Sequence, residues 1–152
     1  FCEGPGSTLG LRLAAAFVKT LHWSKQPSDF EVYAYNALDL ASILAPQKNA
    51  IIQAPFRVGF RFVRTPHVEP LKSEKKIILE DEALAEYPES FHLPDQRKRS
   101  KSVDPEKTLD YDLSQISGLN DLKNISKPCP DILPYNPKAP EFKKWTPRIL
   151  AG

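Results

Sequence analysis

Cysteine is scarce in this chain. Cys2 and Cys129 are the whole supply, and they sit near opposite ends. Without C-x-x-C spacing they read as free thiols of a reducing compartment, not as a disulfide framework. Long apolar runs are also lacking: no stretch approaches the ~20 residues that span a bilayer, and no signal-peptide pattern opens the chain. The expected setting is therefore the cytosol, with no membrane partner. Charge of one sign is lacking too. A formal net charge of +2 gives no global case for nucleic-acid binding. The histidines His22, His67 and His92 are never spaced i, i+3 or i+4, so no helix face offers two metal ligands.

What is present describes one globular domain. A chain of 152 residues can build a single core, and its hydrophobic fraction is 41% with 26% charged. Proline is plentiful at 15 residues, and the stretch after Pro128 is dense in it. There are no internal repeats.

The most informative segment is Gly4-Pro5-Gly6-Ser7-Thr8-Leu9-Gly10-Leu11-Arg12, followed by an alanine-rich apolar run to Leu21. Gly4 and Gly6 allow backbone angles closed to other residues, and Pro5 fixes its own. Ser7 or Thr8 is a good N-cap. The helix is expected to run to about His22. Leu9, Leu13, Phe17 and Leu21 recur every four residues as one stripe, which is expected to face the chain's own core. Gly10, Ala14 and Val18 form a second stripe of smaller side chains, expected to take a neighbouring helix.

The turn invites comparison with phosphate-binding loops, because a helix start presents backbone N–H groups. The chemistry does not follow. A Walker loop needs Gly-Lys-Ser/Thr, and the chain has Gly10-Leu11-Arg12. A G-x-G-x-x-G loop needs glycine at position 9, which is Leu9. A nucleophile elbow G-x-S-x-G fails at Thr8-Leu9. Lys19 lies about three turns down the helix, too far to meet a phosphate at its start. A structural turn capped by Ser7 is the preferred reading.

Downstream, the pattern predicts a strand over 30–35, an N-cap at Asn36 and a helix over 37–45 with Asp39 in its first turn. Strands follow over 50–54 and 56–63, with Pro55 at an edge or bend between them. A fourth strand is expected over 76–79 and a short acidic helix over 80–86. Residues 94–105 read as a polar, basic loop. Residues 109–125 have helix-like spacing weakened by Gly118. From Lys127 onward an extended proline-rich tail is expected. The sum is an α/β pattern with a mixed sheet.

The segment from Gly4 to Arg12 resembles the GPGSFTGLR-type signature of the TsaB (YeaZ) family. Signature residues here are Gly4, Pro5, Gly6, Ser7, Gly10 and Arg12, with a departure at Thr8-Leu9. Weaker likenesses are Tyr35-Asn36-Ala37-Leu38-Asp39-Leu40-Ala41, similar to the strand and "SLEALA" helix of that family, and the tyrosine- and proline-containing tail from Tyr135 to Trp145. Residues 64–127 match by position alone. The resemblance implies an actin/hexokinase-like (ASKHA) fold, a mixed sheet with flanking helices, in which 1–46 holds the motif turn, helix and strand–helix, 47–127 a C-terminal lobe and 128–152 the tail. The family places a strand meander and a helix ahead of the signature. This chain opens at Phe1, so most of that N-terminal lobe is expected to be missing from it, with Phe1-Cys2 as the end of its last strand.

Function is implied by the same resemblance. TsaB members are non-catalytic partners of the paralogue TsaD in making threonylcarbamoyladenosine on tRNA. The implied partners are a TsaD-like paralogue, a TsaE-like ATPase and, in isolation, a second copy, with tRNA met indirectly. ATP and metal would sit on the partner, so no cofactor and no catalytic residue are assigned here. TsaD carries His-x-x-x-His in the corresponding region, where this chain has only His22. Gly10, Ala14 and Val18 are the candidate partner contact. Two alternatives stand beside this. One is a nucleotide-dependent transferase or kinase of the same fold. The other is an RNA-binding module using Arg97, Lys98, Arg99 and Lys101, or the strand on which Arg57, Arg61 and Arg64 alternate with Phe56, Phe60 and Phe62. Glu80, Asp81 and Glu82 read as a solvated helix start, and Cys129 between prolines has nothing to activate it.

Overall fold

In the computed structural model, which describes residues 1–24, 30–95, 103–109, 113–116 and 118–133, two small mixed sheets share one connecting helix. The first sheet runs β1 (Cys2–Gly4), β2 (Tyr33–Asn36) and β7 (Ser126–Pro128), with β1 parallel and β7 antiparallel to β2. The parallel pair is linked by α1 (Thr8–Ser24), which packs against β1. β2 passes directly into α2 (Ala37–Leu44). Asn36 makes that switch: its backbone is extended and its Oδ1 accepts the Leu38 N–H at 3.0 Å, an N-cap bond that satisfies an orphan donor.

The second sheet is built on the hairpin of β3 (Ile52–Arg57) and β4 (Phe60–Arg64), flanked by β5 (Lys75–Leu79) antiparallel to β4 and β6 (Phe91–His92) parallel to β3. α3 (Glu80–Glu86) follows β5 without a gap. The core lies between α2 and one face of this sheet, where Leu38 and Ala41 meet Ile52, Ala54 and Phe62.

Several boundaries differ from the sequence reading. The strand expected over 30–35 begins only at Tyr33. The hairpin turns at Val58-Gly59, with Gly59 at φ 76°, and not at Pro55, which lies inside β3. Ile51 and Gln53 turn their carbonyls to β6, accepting from Phe91 and Leu93 N–H at 2.9 and 2.8 Å. Pro55 faces the same way beyond the end of β6, where a missing N–H costs no ladder bond. The 109–125 segment is not one helix. Its described residues form a 3₁₀ turn over Leu113–Gln115 and α4 (Leu119–Asn124), which starts at an extended Gly118. The chain then returns to the first sheet as β7.

Candidate functional site

The signature turn is held by its own atoms. Gly4 has φ +134°, a conformation rarely adopted by L side chains, and the Gly4-Pro5 peptide is cis. Ser7 Oγ accepts the Gly10 N–H at 3.0 Å, and Ser7 O accepts the Leu11 N–H at 2.9 Å, so Ser7 is the N-cap of α1. A Cβ on Gly10 would lie 2.8 Å from Ser7 Oγ, and one on Gly4 would lie 3.3 Å from Leu11 Cδ1. The spacing Gly4, Ser7, Gly10, Leu11 is therefore a packing unit: the cap serine fits against a bare helix position while Leu11 folds back over the turn. Pro5 and Gly6 border a groove of about 430 Å³ whose other walls include Pro55, Phe56, Leu93 and Asp95. Among the described residues that line it, none is a lysine or arginine and the charged one, Asp95, is an acid.

The faces of α1 correct one expectation. Leu9, Leu13 and Phe17 are 69%, 61% and 65% exposed, so this stripe faces away from the core. Ala15 is buried, and Leu11, Val18 and Leu21 are half-buried. The reason is geometric. At about 100° per residue, positions two apart lie on opposite sides of a helix. Packing Leu11 and Ala15 inward puts Leu9, Leu13 and Phe17 outward. Of the expected contact stripe, Gly10 is exposed, while Ala14 and Val18 are half-buried flankers of the packed side. Arg12 is exposed.

Two buried charge clusters went unseen in the sequence. In the first, Asp39 Oδ1 accepts from Arg64 Nε at 2.7 Å and from Ser73 Oγ at 2.9 Å, and Asp39 Oδ2 lies 2.9 Å from Lys75 Nζ. In the second, Arg61, with no exposed surface, donates from Nε to Glu80 Oε1 at 3.1 Å. Its Nη2 is 3.0 Å from the same oxygen but makes no hydrogen bond, so that contact is electrostatic only. Arg61 Nη1 is 3.3 Å from His92 Nδ1. The basic and aromatic strand thus offers no RNA-binding face, because Arg61 and Arg64 are buried. Arg57 alone is exposed, stacked 4.1 Å over Phe60.

Ser90 and His92 are neighbours but not a nucleophile and base. A guanidinium can only donate, so His92 Nδ1 is the acceptor and its proton sits on Nε2, facing Ser90 Oγ at 3.4 Å. Ser90 gives its own proton to Tyr87 O at 2.7 Å and accepts from Gln53 Nε2 at 2.8 Å. Burial, with Arg61 and then Lys107 nearby, pushes the His92 pKa down to about 4. Neutral His92 is a structural acceptor.

Elsewhere the ligating residues are scattered. Among the described residues no group of three or more His, Cys, Asp and Glu is arranged to hold a metal ion. Cys2 and Cys129 are both free and half-buried, and burial raises the Cys2 pKa. Arg97, Lys98, Arg99, Lys101 and the tail from Tyr135 lie outside the described residues. No described helix is long and apolar enough to cross a membrane. No protein-family model matches the chain, and no curated protein matches it.

Proposed function

We propose that this chain is a non-catalytic, TsaB-type subunit with an actin/hexokinase-like fold. It binds a TsaD-type paralogue in the cytosol and supports threonylcarbamoyl transfer to tRNA adenosine. One observation carries the reading: the helix opened by the Gly4–Arg12 signature exposes Leu9, Leu13 and Phe17 in a row. Three large apolar side chains on one helical line are what a partner helix packs against, and a monomer gains nothing by presenting them to water. The contact therefore moves from Gly10, Ala14 and Val18 to the neighbouring larger stripe, with Gly10 at its edge.

The test is to mix the purified chain with the TsaD paralogue of the same genome, without ATP or tRNA, and measure the mass in solution by light scattering. A heterodimer is expected, and Leu13→Glu with Phe17→Glu is expected to abolish it while leaving the circular dichroism spectrum unchanged. Absence of any complex would sink the proposal. A complex indifferent to the double substitution would keep the partner but remove α1 as its contact.

A further inference from the structure

A polar cavity of about 60 Å³ lies where the first sheet meets the start of α2, with Glu3, Asn36, Asp39, Lys75 and Lys127 in its wall. Asn36 is 3% exposed, and its orientation is fixed because Oδ1 is spent on the Leu38 N–H. What the amide has left is Nδ2, and that buried donor has no hydrogen-bond partner among the described residues. A buried donor without an acceptor is costly, so the site calls for an acceptor.

The surrounding charge says which kind. Asp39 is already matched by Arg64 at 2.7 Å and Lys75 at 2.9 Å, and Glu3 by Lys127 at 3.1 Å. The wall itself balances two carboxylates, Glu3 and Asp39, with two ammonium groups, Lys75 and Lys127, and Arg64, which pairs with Asp39 from outside the wall, gives the cluster its excess of one positive charge. Lys75 Nζ also bonds Ser73 Oγ at 3.1 Å, which leaves one ammonium proton unspent. Lys127, its side chain 54% exposed, is the solvent-facing charged member of the wall.

We propose that this cavity binds a small monovalent anion of the carboxylate class, accepting from the Asn36 amide and the Lys75 and Lys127 ammonium groups. The excess of one positive charge fits a monovalent ion, and the volume admits a body of formate size but not a sugar acid. The site does not depend on the α1 surface, so it stands or falls apart from the partner reading.

Sodium formate is the probe, titrated into the purified chain at constant ionic strength balanced with sodium gluconate, whose carboxylate carries the same charge on a body too large for the cavity. The thermal midpoint is expected to climb with the logarithm of formate concentration, as linkage requires for a ligand of the folded state. Asn36→Ser keeps an N-cap acceptor but removes the amide donor, and should weaken the apparent affinity about tenfold. Lys127→Gln should weaken it to a similar extent from a solvent-facing position. No formate-specific rise in the native chain, or an undiminished one in either variant, overturns the proposal. If Asn36→Ser does not fold, Lys127→Gln decides alone.

Discussion

His92 shows how a single buried side chain sets a stability profile. Its pKa falls from 6.5 to about 4 on folding, so between those values the unfolded chain holds a proton that the folded chain refuses. Stability is therefore full above the unfolded value and lost as pH falls below it. Between pH 7.5 and pH 5 this group alone should remove about 2 kcal/mol. His92→Asn, whose Oδ1 can still accept from Arg61, should flatten that part of the profile in urea unfolding. An unchanged slope would mean that His92 is not the titrating group. Little of this was legible beforehand. Arg61 and Arg64 alternate with apolar residues, which reads as a one-sided strand, yet β4 is central to its sheet and has a helix on each face. The partners that neutralise the arginines, Asp39 and Glu80, come from other elements, and sequence spacing carries no sign of them.

At the scale of the element, local chemistry was the readable part. Ser7 and Asn36 cap the helices they precede, and the acidic run from Glu80 forms α3 as the pattern predicts. Pro55 was misplaced because its tolerance depends on where β6 ends, a tertiary fact. The stripe of α1 was turned inside out for the same kind of reason, since both stripes are apolar and only the position of β1 selects between them. The signature gives a test of its own. Glycine to alanine in a helix ordinarily gains about 1 kcal/mol, but at Gly10 the new Cβ would push Ser7 Oγ off the cap, which costs about as much. Gly10→Ala should be close to neutral in the native background and stabilising by about 1 kcal/mol once Ser7→Ala has removed the hydroxyl. The double-mutant cycle in chemical denaturation measures that coupling, and simple additivity would show that Gly10 is not retained for the cap.

For the whole molecule, the question is what makes two small sheets one folding unit. Neither is large, and the first has only short strands. α2 joins them: it grows out of β2, contacts β1 and buries Leu38 and Ala41 against the second sheet. Its first turn is also held electrostatically, because Asp39 meets Arg64 from β4 and Lys75 from β5. The paired state need not outdo an apolar core of the same volume, but removing one partner strands buried cations and should cost about 3–5 kcal/mol. Asp39→Asn keeps the shape and removes the charge, so it isolates this effect. If α2 couples the sheets, amide exchange in β2 and in β3–β4 should accelerate together by the same free energy, as expected for one cooperative unit. Faster exchange confined to the second sheet, with β2 still protected, would show instead that the sheets open separately and that Asp39 stabilises only the side it touches.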